Sequence, residues 1–171
     1  MMISELMISN RFNVLTDWGV LTRDQLSAAE KSASARGVEL EKVLLREYNV
    51  PRHLMLEALS EFYGLPYIEY DERLPVPPEN LAGLDGDMLS LSCWFPVIRD
   101  GDTVVIAANN PEDPALLEEV RRTIPAVKYE FWVALEEDIQ WFIQDFLHAK
   151  PGHLIGTERT GLAFWRNTMA Q

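Results

Sequence analysis

The sequence predicts an α+β fold, in which an N-terminal helical bundle of two repeated helical units precedes a small subdomain resembling an α/β sandwich. Two observations support this prediction. Apolar positions early in the chain recur at a constant offset, and after Pro66 the pattern changes to short strand-like runs. We expect the helical subdomain at residues 1–65, a second subdomain with a three- to four-stranded sheet at residues 66–148, and a separate tail at residues 149–171.

The N-terminal repeat has an offset of 29 residues (44 − 15). A repeat of this length indicates two copies of one supersecondary unit packed on each other, so we expect a helix-turn-helix twice. The matched pairs are Leu15/Leu44, Val20/Asn49, Leu21/Val50, Thr22/Pro51, Arg23/Arg52 and Leu26/Met55.

Capping residues mark the helices of both copies. Thr22 and Gln25 form a predicted capping box for a helix from residue 23 to about residue 35, and Gly37 follows its end. In the second copy, an apolar stripe predicts a helix, after which Pro51 restarts the chain for a helix that runs to Gly64. The stripe consists of Leu40, Val43, Leu44 and Tyr48.

The second subdomain alternates strand and helix signals. Residues 67–70 predict a short strand, residues 74–78 an extended connector and residues 79–92 a helix. Two apolar runs at residues 95–98 and 103–107 flank an Asp-Gly pair, which predicts a β-hairpin. The remaining elements are a helix capped by Asp113 and ended by Pro125, a strand at residues 129–133, and a helix that begins at residue 136.

The charge of the chain disfavours nucleic-acid binding. Asp and Glu outnumber Lys and Arg by 27 to 15, which gives a net charge of −12. Binding a polyanion needs a basic face, and no such excess exists here. Residues 149–171 differ from the rest in their charge, because they contain three basic residues and one acidic residue.

The expected location is the cytoplasm. No run approaches the roughly 18–20 apolar residues of a membrane span, and the first residues lack the pattern of a signal peptide. The single cysteine, Cys93, excludes an internal disulfide and is interpreted as a buried core residue. The basic tail, rich in Leu, Phe and Trp, is either a frayed terminus or a membrane-proximal segment that tethers the chain at the inner membrane.

The sequence contains no recognisable catalytic or metal site. None of its four lysines follows a glycine, which excludes a Gly-Lys-Ser/Thr phosphate loop. His53, His148 and His153 lack metal-ligand spacing. Acidic clusters at residues 69–72 and 136–138 are interpreted as a strand end and a helix N-terminus.

Tryptophans are the other candidates for an interaction surface. Trp132 and Trp141 are expected to pack in the second subdomain. Trp18 and Trp94 either fill the core, which we favour, or form an exposed patch.

Several stretches together resemble one protein family, over about residues 10–147. They are the Tyr-Gly-Leu-Pro-Tyr-Ile junction at residues 63–68, the Pro-Pro-Glu helix start at 77–79, the Val-Val-Ile-Ala…Asn-Pro strand exit at 104–111 and the Ala-Leu-Glu-Glu-Asp-Ile helix start at 134–139. With the repeat, they resemble the N-terminal domain of type II secretion and type IV pilus assembly ATPases, the MshEN or GspE N-terminal type.

This resemblance implies a binding role rather than catalysis. In the secretion ATPases such a domain docks on a membrane-platform partner, and in one branch two tandem motifs bind cyclic di-GMP. That motif runs Arg-Leu-Gly, then Leu, Gly, Leu and Gln, and is repeated. The positions here that correspond to it, or lie beside it, give a possible ligand site of Arg11, Leu15, Gly19, Leu26, Leu40 and Leu44.

The polar positions of that motif are largely lost. Arg11 is one place out of register, and Ala33 stands where the first glutamine would be. In the second copy, Glu39 and Glu41 occupy the arginine and glycine places. Two carboxylates near a dianion oppose it by on the order of 1–4 kcal/mol per pair. We therefore expect no cyclic di-GMP binding.

Three hypotheses remain open, and the least favoured is an enzyme of unfamiliar type, which would need an acidic pocket with shifted pKa values. The leading one is a non-catalytic interaction module that docks on an inner-membrane platform or envelope-assembly protein and uses no cofactor. The alternative is a sensor of cyclic di-GMP that uses the tandem helical repeats.

Overall fold

The structure is a computed structural model and describes residues 10–147. Predictions on residues 1–9 and on the basic tail, including His148 and His153, lie outside the described residues. The chain divides into two units between Tyr67 and Ile68.

The first unit is helical, as the repeat predicts. A 3-10 turn at Asn10–Phe12 is followed by short and longer helices that pack around a leucine-rich core. These helices are α1 (Val14–Asp17), α2 (Arg23–Arg36), α3 (Leu40–Arg46) and α4 (Arg52–Tyr63).

The predicted caps of these helices are confirmed. The Thr22 side chain accepts a hydrogen bond from the Gln25 backbone N–H at 3.0 Å, and the Gln25 side chain accepts one from the Thr22 N–H at 2.9 Å. Helix α2 ends at Gly37 and α4 at Gly64, which adopt left-handed conformations with φ of 65° and 68°. Glycine is favoured there because it has no Cβ.

Equivalent backbone contacts confirm the 29-residue repeat. The Leu21 N–H donates to the Leu15 carbonyl at 3.3 Å, and the Val50 N–H donates to the Leu44 carbonyl at 3.0 Å. These four residues are buried. The two copies therefore share a turn geometry as well as an apolar pattern.

The copies differ at the turn after their first helix. Gly19 is left-handed in the first copy, with φ of 77°, and Tyr48 stands at the matching position (19 + 29). In the second copy the left-handed residue is Asn49, with φ of 54°, one place later. Asn tolerates this conformation better than Tyr, so the displaced turn explains how the glycine is lost without breaking the repeat.

The second unit is built on a three-stranded mixed sheet in the order β1-β2-β3, which confirms the predicted α+β fold class. Strands β1 and β2 are antiparallel, with Phe95 opposite Ala107, whereas β2 and β3 are parallel, with Ile106 opposite Phe131. The elements are α5 (Pro78–Leu81), α6 (Gly86–Ser92), β1 (Trp94–Asp100), β2 (Thr103–Ala108), α7 (Leu116–Thr123), β3 (Lys128–Val133) and α8 (Glu136–Phe146).

The core of the second unit joins this sheet to α8. The rings of Phe95 and Phe142 stack with centroids 5.5 Å apart. Trp94 is fully buried, and its indole N–H donates to the Glu119 carboxylate at 2.5 Å, so the core interpretation of Trp94 is confirmed. Trp18 is 40% exposed, so the core interpretation favoured for it is wrong. Trp141 is 41% exposed, although its ring packs edge-on against Tyr70 within the second unit.

The strand predicted at residues 67–70 is wrong. The Ile68 N–H donates to the Val133 carbonyl at 2.9 Å, but the chain then turns instead of continuing along the sheet. Asp71 causes this turn, because its side chain accepts a hydrogen bond from the Arg73 N–H at 2.9 Å and its carbonyl accepts one from Leu74. Such local Asp contacts compete with strand pairing.

Two helix predictions also need correction. The helix predicted at residues 79–92 is interrupted, because Gly83 is left-handed with φ of 75° and Asp85 caps a new helix by accepting from the Asp87 N–H at 3.0 Å. The helix predicted to start after Asp113 begins at Leu116. Asp113 instead forms the preceding turn, where its side chain accepts from the Ala115 N–H at 3.0 Å.

The capping box gives a stability prediction. Thr22→Ala removes one side-chain acceptor at the start of α2, and we expect it to lower the free energy of unfolding by about 1 kcal/mol. Ser34→Ala, on the exposed surface of the same helix, is the matched control and should change it by no more than a few tenths of a kcal/mol. Urea denaturation measures both, and equal effects would contradict the role of the cap.

Candidate functional site

Burial separates the residues of the sequence-derived ligand site. Leu15, Leu26 and Leu44 are at most 4% exposed and form the core of the helical unit. Leu40 is half-buried, and Gly19 lies exposed in its turn. The three core leucines pack the helices and present almost no surface to solvent.

Arg11 is the cationic member of this set, and it lies inside the helical unit. The residue is 4% exposed, and its Nη2 lies 3.3 Å from Oε2 of Glu41, which is 3% exposed. Its Nη1 donates to the Tyr63 hydroxyl at 3.5 Å. The guanidinium carbon lies 5.3 Å from the centroid of the Phe12 ring. The 3-10 turn, α3 and α4 thus converge on one guanidinium.

Charge balance explains this arrangement. An isolated guanidinium or carboxylate removed from water is strongly destabilised, whereas a hydrogen-bonded pair compensates much of that cost. Glu41 is therefore the counter-ion of Arg11. The sequence predicts that Glu41, like Glu39, places a negative charge near the ligand position, and in the structure Arg11 balances the charge of Glu41. Glu39, by contrast, is exposed at the start of α3.

The helical unit does not present the Arg11 guanidinium to a phosphate ligand. A phosphate is recognised by a cation that offers N–H donors into an accessible site. Here the Nη2 of Arg11 faces a carboxylate within the unit, and the side chain is 5% exposed. A phosphate would have to displace Glu41 from a buried ion pair.

The second unit carries an aromatic and acidic cluster that the sequence does not reveal. The Tyr70 hydroxyl donates to Oδ2 of Asp145 at 2.8 Å. The Tyr70 ring makes edge contacts with Trp141 and Phe142, at centroid distances of 5.9 and 5.1 Å. Because Tyr70 and Asp145 are 75 residues apart in sequence, no local pattern signals this contact.

Electrostatics in this cluster suppress ionisation of the Tyr70 phenol. Burial raises the pKa of Tyr70 most, followed by the hydrogen bond to Asp145 and the negative charges of Asp145, Glu72 and Asp71. Hydrogen bonds from Arg73 lower the pKa of Asp71, whose Oδ2 lies 2.9 Å from the Arg73 guanidinium. The Tyr70 hydroxyl therefore lies in a region of negative potential.

Some other predicted features have a place in the fold. Cys93 is half-buried rather than fully buried, and it ends α6 in a left-handed conformation with φ of 58°. Across residues 10–147, no group of three or more His, Cys, Asp or Glu side chains is placed to hold a metal ion. Within the same range, no helix has the length and apolar character to cross a membrane.

Sequence reasoning found Arg11 but missed its partners. Tyr63 is 52 residues away and Glu41 is 30 residues away. The near match between that second separation and the repeat offset of 29 residues is the one available signal. It places Arg11 and Glu41 at almost equivalent points of the two copies, where opposite charges are able to meet.

The fold and these contacts define an α+β module with a helical repeat unit and a small mixed-sheet unit. Residues 63–153 match the MshEN domain family, and this is more than half of the chain. The chain therefore belongs to the MshEN domain family, and the family resemblance noted in the sequence is confirmed.

Two solved structures have a similar fold. A structure of MshE with cdg (cyclic di-GMP) is 23% identical, with a TM-score of 0.61, and the match covers 80% of this chain and 97% of that one. The N-terminal domain of XpsE is 18% identical, with a TM-score of 0.57 and coverages of 81% and 94%. A search of curated proteins found no match.

The buried ion pair gives a second prediction. Glu41→Ala leaves the Arg11 guanidinium without its buried counter-ion, and we expect a loss of about 3–5 kcal/mol in the free energy of unfolding. Glu47→Ala is the matched control, because the Arg36–Glu47 pair is about half exposed. That loss should be at most about 1 kcal/mol. Chemical denaturation giving similar losses for both variants would contradict the proposed charge balance.

The Tyr70 environment gives a pH prediction. Because the pKa of Tyr70 is raised in the folded chain, its contribution to stability is complete below the ordinary value of 10.0 and is lost as the pH rises above it. Tyr70→Phe removes this contribution, so its unfolding free energy should fall less steeply above that pH than in the wild type.

The control for this pH effect keeps the phenol and removes its acceptor charge. Asp145→Asn should lower the Tyr70 pKa and therefore also flatten the alkaline slope. Urea denaturation at a series of alkaline pH values provides the measurement. Identical slopes in the wild type and both variants would show that Tyr70 does not titrate as described.

Proposed function

We propose that this chain is a non-catalytic interaction module that docks on an inner-membrane platform or envelope-assembly protein from the cytoplasmic side. Membership of the MshEN domain family supports the regulatory class of this proposal. The buried Arg11–Glu41 pair is the observation that carries it, since it favours a structural rather than a ligand-binding use of the helical repeats.

The geometry argues against cyclic di-GMP as the ligand of this unit. Arg11 is paired in the interior, and the core leucines are almost completely buried. A dinucleotide would need to break the Arg11–Glu41 pair, which lies in the interior of the helical unit. Breaking a buried ion pair costs several kcal/mol, which is a large part of the binding free energy of a micromolar ligand.

The alternative is a cyclic di-GMP sensor, and one comparison favours it. The similar MshE structure is described as a structure with cdg, and its fold resembles this one over 80% of the chain. At 23% identity that likeness concerns the fold, so the ligand must be tested directly on this chain.

Titration calorimetry with cyclic di-GMP tests the choice between these functions. We expect no saturable heat, and no thermal stabilisation of the kind that adds about 2.7 kcal/mol when a ligand is present at 100 times its Kd. MshE with cyclic di-GMP serves as the positive control. Micromolar binding that Arg11→Lys weakens would contradict the proposal and support the sensor, because this variant keeps the charge but loses the guanidinium geometry.

Docking needs a separate experiment. Chemical cross-linking of the full chain in native membranes, followed by mass spectrometry, should recover a platform or envelope-assembly protein. The control is the same cross-linking with the chain unfolded before addition. Recovery of no such protein, or equal recovery by the unfolded chain, would count against docking.

A further inference from the structure

The surface beside Tyr70 combines an exposed aromatic face with carboxylates. We call it the aromatic–acidic patch and define it by Tyr70, Asp71, Glu72, Trp141 and Asp145. Trp141 lies on α8 with 41% of its surface exposed, although large aromatic side chains are usually buried well beyond that. Its ring packs edge-on against Tyr70 at 63°, so the pair forms a stable aromatic corner.

The structure gives this corner a fixed geometry. The Tyr70 hydroxyl is held by Asp145 at 2.8 Å, and the Tyr70 ring also contacts the buried Phe142. Phe142 in turn stacks on Phe95 of the sheet at 5.5 Å. The exposed Trp141 ring is therefore anchored to the core through the half-buried Tyr70, and a partner would not have to order it on binding.

Carboxylates surround the aromatic corner. Asp145, Glu72 and Asp71 all act on the Tyr70 hydroxyl through their negative charges. Arg73 pairs with Asp71 at 2.9 Å and balances part of this negative charge. The whole chain adds to this field, with a net charge of −12. Such a surface repels phosphate-rich partners, including nucleic acids and anionic lipid membranes.

The chemistry that complements both features is a guanidinium. Arginine is attracted to the face of Trp or Tyr and forms charge-assisted hydrogen bonds with carboxylates, whereas lysine offers only a compact charge. We propose that the aromatic–acidic patch binds an arginine-bearing segment of a partner protein. This inference deepens the proposed docking function and rests on it for the identity of the partner.

A pair of peptides tests this proposal on the full chain. Fluorescein-labelled oligo-arginine and oligo-lysine peptides of equal length carry the same charge, so purely electrostatic binding treats them alike. We expect fluorescence anisotropy at low ionic strength to show about a threefold preference for arginine, as a cation–π contact at an exposed site predicts. Equal affinities in the wild type would overturn the proposal.

Substitutions test whether the preference for arginine arises at the aromatic–acidic patch. Trp141→Leu keeps an apolar side chain but removes the aromatic face, so the arginine preference should vanish. Glu72→Gln should weaken both peptides by about twofold, the size typical of an exposed charge pair. The matched controls are Leu117→Ala and Glu118→Gln, exposed positions on α7 that should change neither affinity nor preference. An arginine preference that survives in Trp141→Leu would overturn the proposal.

Two further outcomes separate the possible occupants. If Arg159→Gln with Arg166→Gln in the full chain tightens peptide binding, the chain's own tail occupies the patch, and the partner assignment is wrong.

Trp141→Leu should also reduce cross-linking to the membrane partner. If the peptide preference is present but no envelope partner is recovered, the docking function fails while the patch stands. If the partner is recovered equally by wild type and Trp141→Leu, the patch assignment fails while docking stands.

Discussion

Arg11 lies inside a small helical unit, where a guanidinium removed from water is stable only beside a counter-charge. Glu41 supplies that charge at 3.3 Å, and Tyr63 adds a hydroxyl from α4. The 3-10 turn before α1 is thereby joined to α3 and α4, which belong to the second copy of the repeat. The buried leucines contribute to the apolar core of the unit, and this polar contact links its two copies.

The Arg11–Glu41 contact distinguishes two possible roles of the helical repeat, which are ligand binding and internal packing. The repeat has buried core leucines, helix caps and equivalent turn hydrogen bonds, which together hold its helices in place. Arg11 of the first copy and Glu41 of the second copy instead form an ion pair in the interior. A residue pattern that resembles a ligand motif in sequence thus serves the internal packing of the helical unit. The exposed chemistry lies elsewhere, in the aromatic–acidic patch of the second unit.

Local signals predicted the elements whose formation is local. Thr22, Gln25 and Gly37 define α2 through contacts within a few residues, and the Asp-Gly pair marks the hairpin between β1 and β2. The sequence could not show that the strand predicted at residues 67–70 does not form. The turn at Asp71 competes with sheet pairing there. It also could not show the Arg11–Glu41 and Tyr70–Asp145 contacts, which depend on how distant segments pack.

A double-mutant cycle between Arg11 and Glu41 tests whether this buried ion pair joins the two copies of the repeat. Arg11→Met, Glu41→Gln and the double variant together isolate the coupling free energy of the pair from the other effects of each substitution. We expect a coupling of about 2 kcal/mol or more, because the pair is buried and joins the two copies. A coupling below about 1 kcal/mol, as for exposed ion pairs, would contradict it and leave Arg11 available to a ligand.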